Sequence, residues 1–192
     1  MNLDAAYWEN RYQDNKTGWD IGVVSPAIKN WLDKQENKAM QILVPGAGNA
    51  HEVEYAHKTG FKNVYLLDFA QTAVANFKER CPSFPETNIL CGNFFEIEKT
   101  FDVIIEQTFF CALNPELRQD YVKKCNELLN PSGKIIGLMF NFPLTHEGPP
   151  FGGDKEHYID LFATTFKTSI NPCHTSIKPR EGREFWVEFS KY

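Results

Sequence analysis

Long apolar runs, paired cysteines and clustered basic residues are all missing from this chain, and each absence removes a class of function. The longest apolar stretches, such as Ile135 to Phe140 and Val103 to Ile105, fall far short of the roughly 18 to 20 residues that a membrane-spanning helix needs. The opening segment MNLDAAYWEN has neither the basic nor the apolar region of a secretory signal, so neither export nor membrane insertion is expected. Five cysteines (Cys81, Cys91, Cys111, Cys125, Cys173) make an odd number with no C-x-x-C pair. That pattern suits neither a disulfide framework nor a zinc knuckle and points to a reducing cytoplasm. Five histidines are scattered without H-x-x-x-H or H-E-x-x-H spacing, so no metal is expected. With 20 Lys and Arg against 25 Asp and Glu, the net charge of -5 gives no footprint for a polyanion. A monomer acting on a small molecule is expected, with no nucleic-acid or membrane partner.

What is present reads as one globular domain. Its 192 residues are 42% hydrophobic and 23% charged, without repeat, linker or low-complexity tract. Two helices are predicted first, roughly Asp4 to Gln13 and Pro26 to Gln35, the second with Ser25 as N-cap and Pro26 at its first position. Short β-branched runs then alternate with helical stretches. Strands are predicted at 41–45, 63–68, in NILCG, at 102–107 and at 134–140. Helices are predicted at His51 to Thr59, Gln71 to Arg80 and Pro115 to Leu129, the last closed by the turn Asn130-Pro131-Ser132-Gly133. Alternation of this kind implies right-handed βαβ units and a doubly wound α/β domain with a mostly parallel sheet. After a helix near Lys155 to Phe162, two strand-like runs, about Ser169 to Ile177 and Glu184 to Phe189, have no helix between them, which predicts an antiparallel hairpin at the sheet edge.

In an open parallel sheet the ligand sits beyond the carboxyl ends of the strands, so the loop after the first strand is decisive. It reads Pro45-Gly46-Ala47-Gly48-Asn49-Ala50-His51. Gly46 and Gly48 allow a sharp turn and close backbone approach at a helix N-terminus. Asp68 ends the next strand about 20 residues on, where a carboxylate can accept ribose hydroxyls. The third glycine of the dinucleotide fingerprint would fall at His51, which argues against NAD, and no G-K-[ST] follows to hold a triphosphate. A nucleoside without a phosphate chain is the inferred ligand, and S-adenosylmethionine is the commonest such cofactor on this architecture.

Several motifs go further: Y-W-E-N-R-Y followed by G-W-D-I-G, then L-V-P-G-A-G-N-A-H-E-V, L-L-D-F, D-V-I-I-E-Q-T-F-F-C-A-L, N-P-S-G-K and H-E-G-P-P-F. Together they resemble the class I S-adenosylmethionine-dependent methyltransferases, and within them the thiopurine S-methyltransferase group with its thiol and halide methyltransferases. The resemblance spans nearly the whole chain. It implies a Rossmann-like seven-stranded sheet at 39–192 with a final antiparallel hairpin, and a helical lid at 1–38 whose Trp8, Tyr12 and Trp19 close over S-adenosylmethionine. It also implies that Gly46 and Gly48 pass the methionine and ribose, and that Asp68, beside Phe69, binds the ribose hydroxyls. Asn93 and Phe94 would lie at the adenine, and Gln107 would face the methionine group. On the acceptor side the candidates are Gln107, Phe110, His146, Pro150 and Arg180, with no catalytic residue assigned. Phe110 and Cys111 also suit simple packing, and Arg180 suits an ion pair with Glu184.

A thiol ionises near pH 8.5 and is strongly nucleophilic, so a methyl transfer to sulfur needs no strong base. An O- or N-methyltransferase would want one, with His146 as the candidate. A domain that binds adenosyl ligands without turnover, and more remotely a nicotinamide oxidoreductase, are the other readings.

Overall fold

A computed structural model describes residues 3–145 and 147–192. The elements run α1 (Ala5–Gln13), α2 (Pro26–Asp33), β1 (Gln41–Pro45), α3 (His51–Lys58), β2 (Asn63–Asp68), α4 (Gln71–Arg80), β3 (Ile89–Cys91) and β4 (Phe101–Gln107). They continue through α5 (Arg118–Leu128), β5 (Leu129–Phe140), α6 (Lys155–Phe162), β6 (Phe166–Pro172) and β7 (Glu184–Lys191). Seven strands form one sheet in the order β3-β2-β1-β4-β5-β7-β6. The first five are mutually parallel, and β7 runs antiparallel between β5 and β6.

Strand periodicity builds a core on each face. Ile42, Val44, Val103 and Ile105 point to the side covered by α2, α3 and α4, where they meet Ile28, Leu32, Val53 and Phe77. Leu43 and Ile104 point the other way, onto Tyr121, Val122 and Cys125 of α5 and Phe162 of α6. The strand order reverses between β1 and β4, so the loops after these two strands open the crevice in which such sheets bind ligands.

The doubly wound sheet and its terminal hairpin agree with expectation, but four local readings are corrected. Of the segment expected as a lid, α2 belongs to the core: Ile28 and Leu32 are fully buried, and Glu52 of α3 accepts the Ser25 N–H at 2.9 Å. The helix expected from Pro115 starts as a 3-10 turn at Pro115–Leu117, because Asn114 accepts the Glu116 N–H, and becomes α-helical at Arg118. The turn expected at Asn130 to Gly133 lies within β5, where the ladder to β4 slips from Phe101↔Leu129 to Val103↔Lys134. Asn130 is anchored there by donating to Asp102 at 2.8 Å. The first hairpin strand begins at Phe166 and ends at Pro172, short of Ile177.

Candidate functional site

A cavity of about 870 Å³ opens above the carboxyl ends of β1, β2, β3 and β4. Trp8, Tyr12 and Trp19 line it together with Gly46, Asp68, Phe69, Asn93 and Phe94, and Pro150 and Arg180 line it too. Ten of the expected site residues, far apart in sequence, therefore share one space.

The glycine loop explains its own composition. Gly46 and Gly48 both have φ +55, a conformation that opposes a side chain. A Cβ on Gly46 would also lie 2.9 Å from Cγ of Phe109, so the Phe109 ring fills the space that glycine leaves. Gly48 takes a different place from the expected one. It lies beneath the Tyr12 hydroxyl and donates its N–H to Asp68 Oδ2 at 2.8 Å rather than lining the cavity. Asp68 Oδ1 accepts the Ala70 N–H at 2.8 Å, so one carboxylate joins the glycine loop to the start of α4. Burial raises the Asp68 pKa against the pull of these backbone donors. Asn93 spends its carbonyl on the Phe95 N–H at 3.1 Å and its amide on Glu96 at 3.2 Å.

The N-terminal segment expected as a lid is held at three points. Glu9 of α1 accepts the Thr72 N–H at 3.0 Å. Asp20 accepts from Asn49 and lies 2.9 Å from His51 Nε2, so the residue that stands in place of a third glycine ties the Trp19 loop to the start of α3. The hydrogen bond with His51 holds the Asp20 carboxyl below the usual carboxylate range. On the far side, Arg180 donates to the Trp19 carbonyl at 2.7 Å and pairs with Glu184 at 3.5 Å. Trp19 packs edge-on against Trp8 and Tyr12, with ring centroids at 5.3 and 5.8 Å.

The wall after β4 is organised from below by Glu106, which is 0% exposed. Its Oε1 accepts the N–H groups of Phe109 and Phe110 at 2.8 and 2.9 Å, and its Oε2 accepts the Tyr121 hydroxyl at 2.8 Å. Burial outweighs these donors and pushes its pKa up to about 7. The folded state then binds more protons than the unfolded chain between the ordinary glutamate range and about pH 7, so this group's contribution to stability falls as pH rises. Relative to Glu106→Gln, the wild type should lose on the order of 2 to 3 kcal/mol of unfolding free energy between pH 5 and 8. Urea unfolding across that range measures the difference, and a constant gap between the two proteins would show that Glu106 stays ionised throughout.

Three expected residues do not reach the cavity, and a fourth, His146, lies outside the described residues. Phe110 is buried in the core against Tyr121, Tyr158 and Phe162, because Glu106 pulls its backbone inward. It borders a separate void of about 10 Å³. Gln107 sits at the end of β4 in register with Leu138, its Oε1 buried without a partner among the described residues. Gly48 is the third. Cys111 does line the cavity, but burial raises its thiol pKa, which suits packing rather than nucleophilic attack.

The structure also adds residues that motif reading passed over. Arg11, Phe109, Phe140, Phe142 and Arg183 border the cavity. Arg118 supports it from behind: only 2% exposed, it donates to the carbonyls of Phe151 and Gly152 at 3.4 and 2.9 Å, and so fixes the loop that carries Pro149 and Pro150. Helical spacing could have flagged Arg11, which shares a face with Trp8. Nothing in the sequence marks Arg118 as buried.

Comparison with known proteins bears on the family and the fold. The family model "Thiopurine S-methyltransferase (TPMT)" matches residues 3–185. The chain is 32% identical over 184 residues to thiocyanate methyltransferase 1 of Brassica oleracea, covering 92% of this chain and 81% of that protein. It is 25% identical over 186 residues to thiopurine S-methyltransferase of Vibrio parahaemolyticus, covering 88% and 86%. Among solved structures, 1,6-didemethyltoxoflavin-N1-methyltransferase of Burkholderia thailandensis superposes with a TM-score of 0.75 at 16% identity, over 98% of this chain and 87% of that one, which supports the shared fold. The chain belongs to the thiopurine S-methyltransferase family of S-adenosylmethionine-dependent methyltransferases.

Proposed function

We propose that the protein moves the methyl group of S-adenosylmethionine to the sulfur of a small thiol, with thiopurine-like thiols, thiocyanate and halides as candidate acceptors. One observation carries the reading: a single cavity borders the glycine loop, Asp68 and Asn93 on one side and Pro150, Arg180 and Arg183 on the other. Its volume suits two small molecules held side by side.

The residues fit the cofactor. Gly46 borders the cavity in a left-handed turn, and its missing side chain makes room for the Phe109 ring that walls the same space. Asp68 accepts the Gly48 and Ala70 N–H groups and borders the cavity, and a carboxylate has acceptor capacity beyond these bonds for ribose hydroxyls. Phe69, Asn93 and Phe94 bound the side where the adenine would lie. Trp8, Tyr12 and Trp19 present aromatic faces and edges, a favourable setting for a sulfonium cation. When bound, S-adenosylmethionine supplies a methyl group on a positively charged sulfur with a good leaving group. The chain's own part is to hold donor and acceptor in line and to keep water out. Arg180 and Arg183 place guanidinium charge at the acceptor side, which favours the thiolate form of a bound thiol. In the transfer the thiolate sulfur gains a bond to the methyl carbon, the sulfonium loses one, and a thioether and S-adenosylhomocysteine result.

The test is turnover of the purified protein with S-adenosylmethionine and a panel of thiols, thiocyanate and iodide, beside a phenol and an amine of matched shape. Thioether formation is expected with at least one thiol. Methylation of only the phenol or amine would overturn the proposal, and so would binding of S-adenosylhomocysteine without turnover of any acceptor. All five cysteines are unpaired, which supports residence in a reducing cytoplasm.

A further inference from the structure

One charged side chain at the cavity keeps a buried donor with no hydrogen-bond partner among the described residues. Positions 4, 5, 8, 11 and 12 form the helical stripe of α1 that faces the cavity, and Arg11 is its only cation. The other cavity arginines are accounted for. Arg180 is bound to Trp19 and Glu184, and Arg183 is exposed over the Phe142 ring. The Arg11 guanidinium lies 5.3 Å from the Trp19 ring centroid. Its Nε is buried and has no hydrogen-bond partner among the described residues, and it joins no ion pair there. A buried charged donor left unsatisfied is unfavourable by more than a neutral one, so a donor of this kind at a cavity wall is completed by water, an ion or a ligand.

The position of Arg11 along the sheet says which part of a ligand it would meet. Asn93 and Asp68 follow β3 and β2, toward one edge of the sheet. Arg11 lies on the opposite side of Asp68, because its ring partner Trp19 is tied through Asp20 to the loop after β1 and through its own carbonyl to Arg180, between β6 and β7. Tyr12, next to Arg11 on α1, covers Gly48. A nucleoside with its ribose at Asp68 and its base toward Asn93 therefore directs its 5′ substituent toward Arg11.

We propose that Arg11 binds the carboxylate of the cofactor's amino-acid tail and thereby selects amino-acid-bearing adenosyl ligands over simple adenosyl thioethers. The proposal rests on the reading that Asp68 holds the ribose. A planar guanidinium with parallel donors matches a carboxylate, and a lysine supplies the charge without the fork.

The experiment is calorimetric titration of wild type, Arg11→Gln and Arg11→Lys with two ligands: S-adenosylhomocysteine, and 5′-methylthioadenosine, which has the same nucleoside and no amino-acid tail. Arg11→Gln is expected to weaken S-adenosylhomocysteine by about 10- to 100-fold, leave 5′-methylthioadenosine within about twofold, and recover partly in Arg11→Lys. Retained binding of 5′-methylthioadenosine also shows that the variant's pocket is folded. Equal weakening of both ligands would overturn the proposal and make Arg11 a support for the lid through Trp19. Unchanged binding of both would overturn it as well. Failure of both ligands to bind wild type would instead overturn the ribose reading and the proposal with it, whereas a defect confined to Arg11 leaves that reading standing.

Discussion

Asp68→Ala should cost the protein most of its cofactor affinity, with the dissociation constant of S-adenosylhomocysteine rising by about 30- to 1,000-fold. Removing charge-assisted hydrogen bonds to a pair of hydroxyls is worth on the order of 2 to 4 kcal/mol, and each 1.4 kcal/mol is about tenfold. The structure adds a second consequence. The carboxylate also accepts the Gly48 and Ala70 N–H groups, so alanine orphans two buried donors, loosens the glycine loop and lowers stability by roughly 1 to 3 kcal/mol. Asp68→Asn separates the two effects, because its single amide oxygen can satisfy one backbone donor but brings no charge. Titration calorimetry and denaturant unfolding of both variants provide the check. An alanine variant that is folded and binds S-adenosylhomocysteine as tightly as wild type would remove the ribose from Asp68. Loss of affinity in alanine with full retention in asparagine would show that loop geometry, not carboxylate charge, makes the site.

The same residue shows how far sequence alone reaches. That Asp68 closes the strand after a Gly-x-Gly loop is legible because both features are local and the β2 burial pattern is unambiguous. Its bond to Gly48 is not, since it depends on how two strand ends converge in space. Strand assignment was most secure where both faces are buried, as in β1 and β4, because apolar β-branched runs have few other uses. It misses the start of β5, where Leu129 pairs with Phe101 before the turn residues Asn130 to Gly133 and the ladder to β4 resumes at Lys134 after them. At Phe110 the failure was of direction. The position after β4 is right for a substrate wall, but Glu106 turns the backbone so that Phe109 takes the cavity and Phe110 the core. Helical geometry made Trp8 and Tyr12 legible together. The arginine between them on the same face carries no motif, and only its buried Nε beside Trp19 marks it.

Gly137→Ala should damage the fold more than any single change in the cavity. Gly137 lies in the middle of β5, in register with Glu106 of β4 on one side and Val187 of β7 on the other. Its φ of +149 is closed to ordinary side chains, and a Cβ there would overlap the Glu106 carbonyl oxygen, standing 2.7 Å from its carbonyl carbon and 2.9 Å from its nitrogen. These are backbone atoms of a strand paired on both sides, so the clash cannot be relieved by rotating a side chain. The loss should reach about 4 kcal/mol, seen as a fall in melting temperature of ~10 °C or more, or as failure to accumulate folded protein. Gly60→Ala isolates the conformational part, since Gly60 has φ +93 but no atom within 4 Å of its Cβ position, and about 1 to 2 kcal/mol is expected there. The excess at Gly137 measures the overlap with β4. Because Glu106 is the residue displaced, any folded Gly137→Ala protein should also release the Phe109 N–H and weaken S-adenosylhomocysteine binding. An alanine variant that melts within about 3 °C of wild type, a shift worth on the order of 1 kcal/mol, would show that β4 and β5 are not held as closely at Glu106 as the register requires.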